Sequence, residues 1–363
     1  MEFKLPHYTE PDFNAPCFAG AKEAAVVEAE KDGVAPDNYH ATSIFPEYFY
    51  IGGQWRLAQE SRMDCVAVVR EDSSIAVKEF RNLKKGDRVV IGRTEDGSEG
   101  IYVHTSGFEN AKSGGDAFAF RTGRSRETAY SKDYDHLYEL LRHEKEHGFV
   151  VWVLGPACVF DADSRAAMSA LIAGGYVDAV LAGNALGTHD LEGAFFRTAL
   201  GQDIYTQESC PNGHYHHIDV LNRVRRSGSV RQFVEDYGIK DGILYSCLKH
   251  DVPFVLTGSI RDDGPLPEVF ADVYEGQNNM RKYISQATTV IGMATQLHTI
   301  ASGNMTPSYR VVDGAVRPTY FYSVDISEFA VNKLRDRGSL SVTTIVTNIQ
   351  DFLVNVQRGV GLK

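Results

Sequence analysis

Paired cysteines are missing from this sequence. Its 363 residues include five cysteines, an odd number, and no two of them form a CxxC pair. We therefore expect neither a disulfide framework nor a cysteine-based zinc site, and the composition fits a reducing cytoplasm. Cys158 and Cys247 stand in apolar surroundings that are typical of core residues.

Long hydrophobic runs and an excess of basic residues are also missing. No run of about 18 uncharged apolar residues occurs, and the first residues lack a basic segment followed by an apolar one, so we expect neither a membrane span nor an export signal. Lysine and arginine number 37 against 48 acidic residues, which gives a net charge of −11. Because nucleic acids and anionic membranes attract the opposite sign, the sequence favours small-molecule chemistry.

Alternating strand and helix patterns fill the second part of the chain. Apolar runs such as 149–156 and 177–183 are each followed by a helical pattern, which is typical of a parallel sheet with helices on both faces. Short strands separated by turn signals fill residues 41–120 instead. The sequence therefore predicts an α/β fold with a doubly wound, mostly parallel sheet and a smaller amino-terminal β-rich domain.

This pattern divides the chain into three segments. The prediction is a leader over 1–38, a β-rich domain over 39–125 and an α/β domain over 126–363, with the boundary near Arg126. Within the leader, the stretch 21–33 is rich in alanine, glutamate and lysine and predicts one short helix that ends at Gly33. The polar, glycine-rich stretch 106–133 predicts a linker or a mobile loop.

Small or polar residues follow the predicted strands of the second part. Because the carboxyl ends of parallel strands meet at one edge of a sheet, these residues line the edge where such sheets bind ligands. Glycine lets backbone N–H groups approach a pyrophosphate, so the edge suits a dinucleotide, although no GxGxxG follows any strand. The strand ends are Gly155-Pro156-Ala157, Gly183-Asn184-Ala185, Gly258-Ser259, Ala294-Thr295-Gln296, Asp325 and Thr347-Asn348.

Two of these strand ends allow two interpretations each. Asp325 ends the run YFYSVD, where an acid either accepts hydrogen bonds from a ribose or caps the next helix. The segment 295–298 either wraps an adenine or nicotinamide ring or forms an ordinary turn between a strand and a helix. Both alternatives stay open at the level of sequence.

Two charged stretches near the same edge are candidates for catalysis. Arg261, Asp262 and Asp263 place three charges in the loop after the strand 252–257. His189 and Asp190 form a neighbouring pair that either relays a proton or simply starts a helix, and taken alone the second interpretation is favoured.

Histidines cluster in the stretch CPNGHYHHIDV. His214, His216 and His217 follow Cys210, which suggests a zinc hypothesis, but the spacing does not match a standard zinc finger. We expect these histidines to form hydrogen bonds that line a polar pocket, and we expect no metal.

Taken together, the motifs resemble those of the LOR/SDH-domain family. This family includes the archaeal-type ornithine cyclodeaminase and the carboxyl-terminal part of the cyanobacterial arginine dihydrolase/ornithine cyclodeaminase. The resemblance covers about Tyr39 to Phe352, and the combination of GSIRDDGPLP with GNAL and HD is specific. The stretches that carry it are HATSIFPEYFYIGGQW, MDC, GPACV, GYVDAVLAGNALGTHDLE, NGHYHH, SGSV, GSIRDDGPLPEV, ATQLHTIASGNMTPS, VDIS and DRGS.

The resemblance implies a fold and a cofactor. It implies a deoxyhypusine-synthase-like NAD-binding domain behind a β-rich LOR/SDH domain, with NAD as the bound cofactor. The residues implied for the nucleotide are Asn184, Ala185, Asp263, Thr295, Gln296, Leu297, His298, Asp325 and Asn348. Asn348 stands where the family pattern has aspartate. Family members also begin with a longer amino-terminal domain than the short leader before Tyr39, which leaves room for a changed substrate.

The activity implied by the resemblance is that of an NAD-dependent ammonia-lyase of the ornithine cyclodeaminase type. L-Ornithine or a related diamino acid loses its α-hydride to NAD+, the distal amine attacks the resulting imine, ammonia leaves, and the hydride returns to give L-proline or a cyclic imino acid. We expect Asp262 or Asp263 to handle the distal ammonium or a proton and Arg261 to pair with a carboxylate. His189 and Asp190 are expected to support them.

Two other functions fit the same residues. A net NAD(P)-dependent oxidoreductase of the saccharopine or opine type would release NADH, and a non-catalytic regulator would bind NAD or an amino acid without turnover. The expected partner is a small amino-acid substrate, with no nucleic acid and no membrane. We also expect a cytoplasmic homo-oligomer.

Overall fold

The structure is a computed structural model that describes residues 3–108, 130–262, 264–328 and 340–363. The predicted domain boundary near Arg126 and the predicted roles of Asp263 lie outside the described residues, as do most of the predicted linker 106–133 and most of a helix predicted over 326–338.

Short antiparallel strands form the first part of the chain, as predicted. They build a four-stranded sheet in the order β1-β7-β5-β6 and a three-stranded sheet in the order β3-β2-β8. Gly52 and Gly53 join β2 to β3 with φ angles of 61° and 75°, a left-handed pair that glycine adopts readily. The strands are β1 (Ala25–Glu28), β2 (Glu47–Ile51), β3 (Gln54–Leu57), β4 (Glu60–Ser61), β5 (Val66–Val69), β6 (Ile75–Lys78), β7 (Arg88–Ile91) and β8 (Ile101–Val103).

The prediction of a helix over residues 21–33 is wrong. β1 occupies this stretch and pairs with β7 in antiparallel register, with Val26 opposite Val90. Ala24 and Val26 pack on the core of this region, so tertiary pairing outweighs the local helix preference of the alanine- and glutamate-rich sequence.

A seven-stranded parallel sheet forms the second part of the chain. Its order is β14-β13-β10-β9-β15-β18-β19, and every neighbouring pair is parallel. The further strands are β9 (Val150–Leu154), β10 (Ala179–Gly183), β11 (Thr198–Ala199), β12 (Gln202–Asp203), β13 (Phe254–Thr257), β14 (Val269–Phe270), β15 (Thr289–Met293), β16 (Tyr309–Val312), β17 (Ala315–Pro318), β18 (Tyr320–Asp325) and β19 (Ser341–Val346). The helical pattern of residues 268–286 predicts a helix from Glu268, but the short edge strand β14 comes first and the helix begins only at Val273.

Helices cover both faces of this sheet. The described helices are α1 (Ser131–His147), α2 (Ala162–Ala173), α3 (Asn184–Phe196), α4 (His216–Ser227), α5 (Val230–Asp236), α6 (Ile243–Lys249), α7 (Val273–Ile284), α8 (Gln296–Met305) and α9 (Ile349–Gly359). Short 3-10 turns lie at Pro16–Phe18, Phe80–Asn82, Pro156–Val159 and Gly213–Tyr215. None of the helices that the structure describes is long and apolar enough to cross a membrane.

The side chains of β9 show how the two faces are buried. Trp152 and Leu154 pack in the core that includes side chains of α1, α2 and α9, while Val151 and Val153 pack in the core that includes side chains of α7 and α8. A strand that is buried on both faces consists of a continuous run of apolar residues. Such runs, each followed by a helical pattern, are why the sequence predicts this sheet correctly. The predicted doubly wound α/β fold with a smaller β-rich region is confirmed.

Two cysteines lie in this core. Cys158 and Cys247 are fully buried, as predicted, and all five cysteines carry free thiols. Burial raises the pKa of the Cys158 thiol to about 12, so this thiol stays protonated near neutral pH.

The hairpin of β16 and β17 joins the two parts of the chain. β16 pairs with β4, placing Tyr309 opposite Ser61, and the Tyr309 hydroxyl donates to the backbone oxygen of Ala58 at 2.8 Å. Arg62 donates to the backbone oxygen of Asn304 in α8. These contacts hold the β-rich region against the end of α8.

Candidate active site

The carboxyl ends of the central strands open onto a cleft of about 980 Å³. The chain runs from β9 outward through β10, β13 and β14, and then returns to the other side of β9 to form β15, β18 and β19. Such a reversal of strand order is the point at which open parallel sheets bind ligands. The lining consists of residues 154–156, 183–186, 294–298 and 300–301, with Thr257, Ser259, Arg261, Asp262, Gln277, Asn304 and Asp325.

The cleft brings together most of the predicted site residues. Its lining includes Asn184, Ala185, Arg261, Asp262, Thr295, Gln296, Leu297, His298 and Asp325. His189, Asp190 and Asn348 do not line the cleft, although all three are described, and Asp263 lies outside the described residues.

Two helices begin at the cleft. Gly183 directly precedes α3, and a β-carbon at Gly183 would lie 2.7 Å from Cε1 of His298, so the glycine leaves room for the His298 ring. Thr295 caps α8, because its side chain accepts a hydrogen bond from the His298 backbone nitrogen. Segment 295–298 is therefore a turn between a strand and a helix, and it places a second helix N-terminus beside the first. The unpaired N–H groups of helix N-termini attract anions.

Asn184 connects the start of α3 to the loop after β13. Its side-chain oxygen accepts hydrogen bonds from the Leu266 backbone nitrogen at 3.0 Å and from the Thr188 hydroxyl at 3.3 Å. These bonds fix the side chain, so Asn184 holds the wall of the cleft in place.

The loop after β13 places Asp262 in the cleft. The Asp262 carboxylate accepts a hydrogen bond from the Ser259 backbone nitrogen at 2.7 Å, which closes the loop on itself. The Arg261 backbone nitrogen donates to the Ser259 hydroxyl at 3.2 Å, while the Arg261 side chain is exposed. The loop thus presents one oriented acid and one solvated cation.

His298 supplies an ionisable group opposite this acid. Its Nδ1 lies 3.2 Å from the Thr295 hydroxyl. Burial lowers the pKa of the His298 imidazole, against the opposing negative charge of Asp262. The imidazole is therefore neutral at neutral pH and is able to exchange a proton.

Asp325 and Asn348 end neighbouring strands but differ in position. Asp325 lines the cleft, and its carboxylate accepts a hydrogen bond from the Ser327 backbone nitrogen at 2.9 Å. Asn348 caps α9, with its side-chain oxygen accepting from the backbone nitrogens of Gln350 at 2.8 Å and Asp351 at 3.2 Å. Asn348 thus caps a helix in this structure, and its predicted cofactor contact stays a prediction.

Asp190 is buried among hydrogen-bond donors away from the lining of the cleft, and its predicted catalytic role stays a prediction. Its carboxylate accepts from Nε of Arg165 at 2.7 Å and from the backbone nitrogens of Ile243 at 3.0 Å and Leu244 at 2.8 Å. Arg165 also pairs with Asp241. These bonds hold the first turn of α6 against α2 and α3.

His189 belongs to a separate buried network. Its Nδ1 lies 2.8 Å from the Glu192 carboxylate, which also accepts a hydrogen bond from the Thr198 hydroxyl at 2.8 Å. The Thr198 hydroxyl lies 2.8 Å from Nδ1 of His216, whose ring stacks on Phe196. The predicted hydrogen-bonding role of the histidine stretch is confirmed for His216. Within the described ranges no three histidine, cysteine or acidic side chains form a group suited to a metal ion.

Sequence reasoning missed several residues of the lining. Gln277 projects from the middle of α7, and Ile300 and Ala301 project from α8, where no strand end or glycine marks them. Leu297, Ala301 and Asn304 are spaced by four and three residues, which places them on one face of α8. This spacing is the sequence signal that links Ala301 and Asn304 to the predicted site residue Leu297.

Comparison with known proteins agrees with this geometry. Residues 136–356 match the family model of the arginine dihydrolase ArgZ-like C-terminal region with a Rossmann fold, and residues 46–128 match the model of the first region of that same C-terminal part. The chain belongs to the ArgZ-like C-terminal family.

The names of proteins similar to this chain indicate an activity. The ornithine cyclodeaminase of Methanothermobacter thermautotrophicus is 41% identical over 336 residues, covering 92% of this chain and 78% of that protein. The crystal structure of a putative LOR/SDH protein of Methanococcus maripaludis matches with a TM-score of 0.84 and 33% identity, covering 93% and 98% of the two chains.

A structure of AgrE contains ligands. It is described as the ternary complex of AgrE with ornithine and NAD+, and it matches with a TM-score of 0.57 and 30% identity, covering 94% of this chain and 46% of AgrE. AgrE of Nostoc sp. is named a bifunctional arginine dihydrolase/ornithine cyclodeaminase. This chain therefore spans about half the length of AgrE.

Replacing Asp190 tests its structural role. We expect Asp190→Asn to lower the free energy of unfolding by about 3–5 kcal/mol, because Arg165 loses its buried partner. Asp163→Asn, a change of an exposed acid on α2, serves as the control and should melt like the wild type in differential scanning calorimetry. An Asp190→Asn protein of unchanged stability would contradict the assignment.

Proposed function

We propose that the protein is an NAD-dependent ornithine cyclodeaminase-like enzyme that converts L-ornithine, or a related diamino acid, to L-proline, or a cyclic imino acid, and ammonia. The observation that carries the proposal is a cleft at the reversal of strand order that is lined by both Asp262 and His298, two groups able to exchange protons. The names of the relatives and the ornithine and NAD+ in the AgrE complex support it.

The residues of the cleft fit a dinucleotide. Two helix N-termini, at Asn184 and Gln296, favour the charge of a pyrophosphate, and the missing β-carbons of Gly155 and Gly183 keep the backbone accessible. Asp325 at the end of β18 is positioned to accept hydrogen bonds from ribose hydroxyls. These residues would hold NAD.

Bound NAD accepts a hydride from the α-carbon of the amino acid and returns it to the cyclic imine. The chain itself supplies orientation and proton transfer. Asp262 pairs with the distal ammonium of the substrate and takes up its proton, because only the free amine attacks the imine carbon. His298, neutral and in the lining of the same cleft, accepts a proton from the α-ammonium before hydride transfer and returns it to the departing ammonia.

The roles of Arg261 and Asp263, the location of the protein and its oligomeric state remain predictions. Arg261 lines the cleft with an exposed side chain, and its pairing with a carboxylate is open to test, as is the role of Asp263. The cytoplasm and a homo-oligomeric state are also expectations from the sequence.

Incubation with L-ornithine and NAD+ tests the proposed reaction. We expect proline and ammonia in equal amounts without accumulation of NADH. Asp262→Asn should lower turnover by at least about a hundredfold, because the amide still accepts the Ser259 hydrogen bond but takes up no proton. Amino-acid analysis, an ammonia assay and the absorbance of NADH are the measurements.

Asp251→Asn is the matched control for this variant. Asp251 is exposed and has a φ of 54°, a conformation that asparagine tolerates well, so its turnover should equal that of the wild type. Accumulating NADH would favour a net oxidoreductase. No turnover of ornithine, lysine or diaminobutyrate by protein that binds NAD would favour a non-catalytic regulator, and full activity of Asp262→Asn would remove Asp262 from the mechanism.

Asp325 and Asn348 should differ in their effect on NAD. We expect Asp325→Ala to weaken NAD+ binding about tenfold or more, because hydrogen bonds to a charged group contribute about 1.5–3 kcal/mol. Asn348→Ala should cost about 1 kcal/mol of stability through the lost cap and leave the affinity unchanged. Calorimetric titration with NAD+ measures the affinity of both variants. An equal loss of affinity in the two variants would contradict the assignment.

A further inference from the structure

A second cavity of about 400 Å³ lies between the β-rich region and helices α7 and α8. Gln277 and Asn304 line both this cavity and the cleft, so the two spaces adjoin. A volume of this size suits a small molecule better than a dinucleotide. We name it the arginine cavity and define it by Arg62, Asp64, Glu79, Arg81, Gln277 and Asn304.

Two arginines share one acid behind the wall of the arginine cavity. Arg62 and Arg281 both donate to the same oxygen of Glu79, so one carboxylate serves two guanidinium groups. Nε and one terminal nitrogen of Arg281 are buried without a hydrogen-bond partner among the described residues. In the lining, Asp64 and Glu79 balance Arg62 and Arg81 in number, so an incoming anion would be held by hydrogen-bond donors that these groups leave free and not by a surplus of positive charge.

Two contacts orient the guanidinium group of Arg81, which lines the arginine cavity. One terminal nitrogen donates to the side-chain oxygen of Asn278 at 2.9 Å, and the group lies over the ring of Tyr274, with Cζ 5.1 Å from the ring centre. Within the described part of the chain no carboxylate pairs with Arg81. The planar guanidinium group therefore keeps N–H donors without a partner in the described ranges. Two parallel N–H groups of a guanidinium match the two oxygens of a carboxylate.

Burial and the nearby charge of Arg281 lower the pKa of Arg81. Both effects penalise the charged form of the guanidinium group, which nevertheless stays charged because its ordinary pKa is so high. A bound carboxylate would offset the repulsion between the two arginines. The same cavity also contains Asp64, an exposed acid without an ion-pair partner in the described ranges, so it complements both charges of an amino acid.

We propose that Arg81 binds the carboxylate of the amino-acid substrate in the arginine cavity. The inference rests on the proposed function and names the carboxylate site of the same reaction. An amino acid bound there extends past Gln277 and Asn304 toward Asp262, which meets its distal ammonium. The β-rich region thereby becomes part of the substrate site and sets specificity for α-amino acids over simple diamines.

Arg261 is the rival for this carboxylate. It lines the cleft, but its side chain is exposed and has no partner that holds its guanidinium group in the described part of the chain. Water and salt screen an exposed pair, whereas the pre-oriented and half-buried Arg81 loses less entropy when it binds. The two arginines can be distinguished by single substitutions.

Calorimetric titration of NADH-loaded protein with L-ornithine tests the inference. With NADH in place of NAD+ no hydride acceptor is present, so binding is measured without turnover. Arg81→Ala should weaken ornithine binding at least tenfold, with Arg81→Lys intermediate because a lysine keeps the charge without the fork. Arg261→Ala should weaken ornithine binding less than Arg81→Ala does, and the control Arg88→Ala, a change of an exposed arginine on β7, should bind ornithine like the wild type.

A second ligand shows whether the lost affinity belongs to the carboxylate. 1,4-Diaminobutane lacks this group and should bind wild type and Arg81→Ala equally. The affinity of each variant for NADH, measured first, should equal that of the wild type and thus reports an intact fold. An equal loss of diaminobutane binding in Arg81→Ala would overturn the inference, as would a loss of ornithine binding confined to Arg261→Ala.

Ammonia release from ornithine and NAD+ separates this inference from the proposed function. Wild-type protein that binds ornithine through Arg81 but releases no ammonia would overturn the proposed function and support the carboxylate site. Normal ammonia release together with wild-type ornithine binding by Arg81→Ala would overturn the carboxylate site alone. Wild-type protein that binds no ornithine would overturn both.

Discussion

The close approach of β9 and β15 is the constraint on which the site depends. The Gly155 backbone nitrogen donates to the Met293 oxygen at 2.8 Å, and a β-carbon on Gly155 would lie only 1.8 Å from the backbone oxygen of Ala294. The chain winds away from this seam in opposite directions, so no connection crosses the carboxyl ends of the two strands. The space left open there is the cleft.

Charge then divides the cleft into parts with different chemistry. The starts of α3 and α8 provide N–H groups near the seam, whereas acids stand on either side of it, Asp325 after β18 and Asp262 after β13. Beyond α8, the β-rich region contributes arginines to the adjoining arginine cavity. An anionic cofactor, a distal ammonium and a carboxylate would therefore each meet a complementary charge.

The sequence predicts the strands and their polar ends well because both signals are local. A buried parallel strand reads as one apolar run, and its carboxyl end is marked by residues such as Gly183 and Asp325. The roles of Asp190 and Asn348 were not predictable in this way. Asp190 depends on Arg165 and on the start of α6, which are 25 and about 53 residues away along the chain, and the cap formed by Asn348 differs from a cofactor contact only in where the side chain points.

Non-local packing also explains the other differences. β1 becomes a strand because β7 lies beside it, and Arg81 meets Tyr274 and Asn278 only because the hairpin of β16 and β17 holds the β-rich region against the parallel sheet. The resemblance to the family supplies what no local pattern contains, namely the cofactor and the class of substrate. Only the folded structure shows which acids and arginines lie close enough to contact the cofactor or the substrate.

The central proposal is that a hydride passes from C2 of the substrate to NAD+ in the cleft and then returns to the same substrate molecule. Incubation of L-ornithine deuterated at C2 with NAD+, followed by mass spectrometry of the products, tests this most directly. The account predicts proline that retains the deuterium at C2, with no deuterium in the NADH of the solution. Unlabelled proline, or deuterium released as NADH, would contradict it.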